Sequence, residues 1–210
     1  MKRYLPYLLS ASFSLLPLPL VFSGQASPFD VMAFYWVELI AIGMATIVRM
    51  GIMAASNLAK RRWAKAAEAI AGLLFMPIHF GFFIIMMCFP IGSFLPEGTP
   101  MRILDNPLVP FEMVVYHANL SFALPLALAW QGADLFFSFL LPKRYKETGG
   151  DSGPAFAYGQ LFVLFVASLF GLMLAMRTNE RIWGVIVLVG LKTVFSLGAI
   201  SIRENKKAGH

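Results

Sequence analysis

An all-α, polytopic membrane helix bundle of about six transmembrane helices is the architecture this sequence predicts, and three observations predict it. Of 210 residues, 59% are hydrophobic and only 13% charged, with a mean hydropathy of +0.72, well to the apolar side of soluble domains. The apolar residues gather into runs of about 20, the length at which a helix crosses the hydrocarbon core of a bilayer. The basic residues gather in short clusters between those runs, where topology is decided. The net charge of +6 and the pI near 9.6 are therefore read as topology determinants, and nucleic acid is not expected as a partner.

The first run, residues 4–22, follows Lys2 and Arg3 and precedes Ser23-Gly24-Gln25-Ala26. This is also the pattern of a signal peptide with a small-residue cleavage site. A retained first span is the expectation, made irregular by Pro6, Pro17 and Pro19. The second and third runs, 31–54 and 69–94, flank the basic cluster Lys60, Arg61, Arg62 and Lys65. Residues 95–107, with Pro96, Gly98, Pro100 and Pro107, read as an external turn region. The fourth run, 108–131, passes Pro125, and its apolar character resumes at 135–141 as a phenylalanine-rich extension or interfacial piece. Residues 147–154 form a flexible cytoplasmic linker before the fifth and sixth runs, 156–176 and 182–202. With the N-terminus inside, twelve Lys and Arg lie on the cytoplasmic side and three (Arg102, Arg177, Arg181) outside. That bias supports both termini on the cytoplasmic side of the inner membrane, in one integral domain covering 1–210.

Ionisable side chains inside spans are costly in hydrocarbon, so they face the bundle interior with a partner. Glu38, Arg49, His79, His117 and Lys192 are in this position, with Glu112 near the outer end of its run. Glu38 and Arg49 are eleven residues apart, three turns to within about 20°, so both lie on one inward face. Counted from the outer ends of their runs, Glu38 lies roughly 10 Å deep, His117 roughly 14 Å and Lys192 roughly 15 Å, close enough in level to meet. His79 joins them at roughly 15 Å if Pro90 ends its helix and lies at roughly 22 Å if the helix runs on to Phe94. Arg49 and Asp134 fall near the inner ends of their helices and make a second pair.

Two readings of the outer group stand. In one, Tyr35, Trp36, Glu38, His79, His117 and Lys192 line a buried pocket for a lipid, quinone, metal or proton, with Glu38 as proton acceptor or ligand and Lys192 as counter-ion. In the other, which is preferred, Glu38 pairs with Lys192 or hydrogen-bonds to Tyr or Trp and holds helices together, while the histidines are satisfied core residues. Two histidines and a carboxylate could suit a metal, and two histidines a haem, but none sits at a paired spacing. Copper(I) would use methionines such as Met76, Met86, Met87 and Met113, whose plainer role is core filling. No cofactor is assigned, and bound lipid is expected. The lone cysteine, Cys88, excludes an internal disulfide. Nucleotide, dinucleotide, Gly-x-Ser-x-Gly and Cys-x-x-Cys motifs are absent.

Tyr35-Trp36-Val37-Glu38, His79-Phe80-Gly81-Phe82-Phe83, Tyr158-Gly159-Gln160 and Leu191-Lys192-Thr193 occur in that order along the chain. They resemble the Tyr-Trp-x-Glu, His-Tyr-Gly-x-Phe, Tyr-Gly-Arg and Lys-Thr signatures of an uncharacterised family of bacterial and archaeal multi-pass membrane proteins, a domain of unknown function. The resemblance implies a divergent member: Met87, Gln131, Phe165 and Ser196 stand where that family tends to carry His, His, His and Asp, and Gln160 where it has Arg. The expected role is accordingly a non-catalytic accessory or assembly subunit, in contact with membrane lipids and other membrane subunits.

Overall fold

A computed structural model describes residues 11–12, 14–87, 90–91, 106, 123–143, 153–178, 180 and 182–208. Among these the protein is helical and contains no strand. The helices are α1 (Pro17–Phe22), α2 (Pro28–Ala59), α3 (Trp63–Met86), α4 (Ala123–Asp134), α5 (Gly153–Thr178) and α6 (Ile182–Ala208). Much of the first predicted span, the external turn region, the first half of the fourth span with His117, and most of the 147–154 linker lie outside the described residues. Among the described residues three helices are long and apolar enough to cross a membrane: Pro28–Ala59, Trp63–Met86 and Ala157–Thr178. A shorter apolar stretch covers Ile182–Gly198.

The bundle is built around α2, which packs against every other described element. In its most apolar stretch 78% of residues are buried, against 11% for α3 and 39% for α5. That ranking makes α2 the central helix and α3 a peripheral one. Local chemistry defines where α2 begins. Ser27 accepts a hydrogen bond from the Asp30 amide (3.2 Å), the Asp30 carboxylate accepts one from the Ser27 amide (2.7 Å), and Pro28 occupies the first helical position. This capping box starts the helix three residues before the apolar run predicts. Just upstream, Gly24 at φ +74 closes α1 in a left-handed cap, with the Gln25 amide on the Leu20 carbonyl and the Gly24 amide on that of Val21.

At the other end α2 runs five residues beyond the predicted 54, and α3 begins six before the predicted 69. These flanks carry five alanines, which sustain helix but add little hydrophobic signal. The 32 residues of α2 extend about 48 Å, longer than the roughly 30 Å hydrocarbon core of a bilayer. The turn joining α2 to α3 is again a left-handed cap, here with a non-glycine residue. Arg61 sits at φ +55, the Arg62 amide donates to the Asn57 carbonyl (2.9 Å) and the Arg61 amide to that of Leu58 (2.9 Å). α3 then opens without a side-chain cap and without an acid in its first turn.

Close contacts set the helix directions. Gly43 of α2 receives the Phe80 ring of α3, 2.7 Å from where a Cβ would be, and Trp36 donates to the Ile84 carbonyl, so α2 and α3 are antiparallel. α5 and α6 form a second antiparallel hairpin, joined at Gly159 against Phe195 and at Gly171 against the Gly184 backbone. Phe80 also meets Tyr158 of α5 edge-on at 5.8 Å, which brings the two hairpins level near the middle of α2. α4 continues without a break into a π-helical segment, Leu135–Leu140, where Phe136 and Phe137 are exposed. The helix thus carries on through the phenylalanine-rich piece, and Pro125 lies within it.

Candidate functional site

Tyr35, Trp36 and Glu38 are all buried on α2, and at about 100° per residue Trp36 points away from the face that Tyr35 and Glu38 share. Each reaches a separate partner. Trp36 Nε1 donates to the Ile84 carbonyl of α3 at 3.0 Å. The Tyr35 hydroxyl donates to the carbonyl of Ser14, ahead of α1. Glu38 Oε2 lies 2.5 Å from Lys192 Nζ of α6. A four-residue signature therefore fastens the central helix to three other parts of the chain.

Glu38 and Lys192 are each 5% exposed, so the pair is removed from water and each charge depends on the other. Three residues on from Tyr35, Glu38 shares its face, and the Lys192 ammonium lies 4.5 Å from the Tyr35 ring centroid as well as beside the carboxylate. Because α2 starts at Pro28, Glu38 is ten residues into its helix, the same count as Lys192 in α6. Both are thus roughly 15 Å along, which removes the offset between them predicted from the apolar runs alone. Glu38 Oε2 has no well-directed hydrogen bond despite its short approach to Nζ. The attraction is that of an ion pair, which charge and separation determine more than angle.

Eleven residues further along the same face, Arg49 pairs through Nη2 with Asp134 Oδ2 at the end of α4. Arg49 is 9% exposed, and its Nε is buried without an acceptor. Asp134 is half-buried, so this second pair is the wetter of the two.

His79 does not bond to Glu38 or Lys192. Its Nδ1 is 3.0 Å from the Tyr158 hydroxyl of α5, with Phe75 stacked on the imidazole at 4.9 Å and Phe83 edge-on at 5.2 Å. The half-buried histidine is satisfied by the tyrosine of the Tyr158-Gly159-Gln160 segment. Among the described residues no three His, Cys, Asp or Glu side chains converge on a potential metal site.

Gln160 and Ser196, two positions at which the chain departs from the resembled family signatures, also meet. Gln160 Nε2 donates to Ser196 Oγ across the α5–α6 hairpin at 3.4 Å, and both are buried. Two further contacts missed in the sequence involve main-chain acceptors, the carbonyls of Ser14 and Ile84, which have no residue-type signal.

The chain belongs to the family of unknown function DUF6498, which it matches over residues 2–209. No curated protein and no solved structure matches it.

Proposed function

We propose that this chain is a six-span protein of the cytoplasmic membrane, with both termini inside, that serves as a non-catalytic accessory or assembly subunit of a larger membrane complex. The observation that carries this reading is the engagement of its buried charges. Glu38 is paired with Lys192 and Arg49 with Asp134, each bond joining α2 to another helix. Groups so paired hold an architecture, and freeing either for proton or ligand chemistry would leave an uncompensated charge in the bundle. The apolar side of α3, with Leu74, Ile78, Phe82 and Ile85 exposed, supplies a face for lipid and neighbouring subunits. The twelve-to-three distribution of Lys and Arg supports the orientation.

Purification from native membranes in a mild detergent, followed by native electrophoresis and identification of co-migrating chains, tests the role. A stoichiometric membrane partner is expected; a monomer that migrates alone at every detergent concentration overturns it. Cysteines introduced at Lys60 and Arg177 should be labelled by an impermeant reagent from opposite sides of the membrane.

A further inference from the structure

From the geometry of the α2–α3 turn we infer that it is a docking surface for the headgroups of anionic phospholipids. Lys60, Arg61, Arg62 and Lys65 are all exposed there, around Trp63, which is 67% exposed. Among the described residues no carboxylate forms an ion pair with Lys60, Arg61 or Arg62. The nearest acid along the chain is Glu68, a turn and a half into α3.

The cluster is held in shape. The two main-chain bonds that close α2, together with the Ala66 amide on the Arg62 carbonyl (3.0 Å), fix three consecutive basic residues between two helices. Arg61 is held at φ +55, which turns the chain back sharply, so the cations are gathered at one tip and not strung along an extended loop. A cluster with this charge and rigidity complements a layer of phosphates, and the uncapped first turn of α3 adds to its positive potential.

Trp63 decides between a lipid surface and an acidic protein. An indole with an apolar body and a polar N–H partitions to the headgroup level of a bilayer, and this one stands at the end of two helices apolar enough to enter it. The inference rests on the membrane-spanning reading and not on the accessory role, so a failed co-purification leaves it standing.

The test uses the full chain reconstituted in phosphatidylcholine vesicles. Trp63 emission is isolated as the difference between the wild type and Trp63→Phe. Dibrominated phosphatidylglycerol or dibrominated phosphatidylcholine is added as quencher at equal mole fraction. The glycerol lipid should be preferred on the order of tenfold, falling to within about twofold at ~1 M salt, where the Debye length is about 3 Å. Lys60→Gln/Arg61→Gln/Arg62→Gln/Lys65→Gln should lose the preference, whereas Lys60→Arg/Arg61→Lys/Arg62→Lys/Lys65→Arg should keep it. Equal quenching by both lipids overturns the inference, as does no quenching by either or a preference that survives neutralisation. Binding of an oligoglutamate peptide without any lipid preference overturns it in favour of an acidic protein. The salt titration of the unmutated protein preserves the test if the neutralised variant misfolds.

Discussion

Lys192→Met removes one half of the buried pair while keeping the length and apolar stem of the side chain. Both partners are 5% exposed, so water cannot take over the role of the missing ammonium. Stranding a buried charge in this way costs about 3–5 kcal/mol, and loss of the cation above the Tyr35 ring adds on the order of 1 kcal/mol. Glu38→Leu in the same background removes the stranded carboxylate, and the double variant should lie within roughly 2 kcal/mol of the wild type. Glu38→Leu alone strands the ammonium at a similar cost of about 3–5 kcal/mol, so the favourable coupling between the two sites is at least about 5 kcal/mol. Equilibrium unfolding in mixed micelles with increasing dodecyl sulfate, followed by far-UV circular dichroism, measures all four corners of the cycle. If the two single costs add to within about 0.5 kcal/mol of the double, the groups do not sense each other and the fastening role of Glu38 is wrong.

Three further perturbations test the helix contacts and the turn. Gly171→Ala places a Cβ 2.8 Å from the Gly184 carbonyl oxygen, a backbone atom that cannot rotate away, and should cost about 1–3 kcal/mol. Gly51→Ala, with nothing within 4 Å of the new atom, should stabilise by up to about 1 kcal/mol through helix propensity in the same unfolding assay. Arg61→Gly relieves a non-glycine residue of a left-handed conformation and should raise stability by about 1 kcal/mol; a loss would mean that the arginine side chain contributes more than its backbone costs.

The inward face of α2 was legible from spacing alone, because a helix repeats every 3.6 residues whatever it packs against. Eleven residues between Glu38 and Arg49 therefore placed both on one side before any partner was known. The ends of α2 and α3 were less legible. Hydrophobicity reports where hydrocarbon is tolerated, whereas α2 ends where caps satisfy its free amides and carbonyls, at Ser27, Asp30 and Arg61, and α3 starts directly from that turn. His79 shows a different gap. Its level along the chain permitted a place beside Glu38, but its direction around α3 points it at Tyr158, and direction depends on how two helices are rolled against each other.

Composition and periodicity thus determined by themselves that the protein is helical and apolar enough to cross a membrane, and which face of α2 turns inward. These are properties of single segments, dictated by backbone geometry and the cost of burying charge. Only the tertiary structure decided that Tyr35, Trp36 and Glu38 grip three different parts of the chain, and that Lys192 and not His79 answers the carboxylate. Those choices depend on close helix approaches, the Phe80 ring at Gly43 and the Gly171 backbone at Gly184. The shapes that permit them belong to two segments at once, and neither carries them alone.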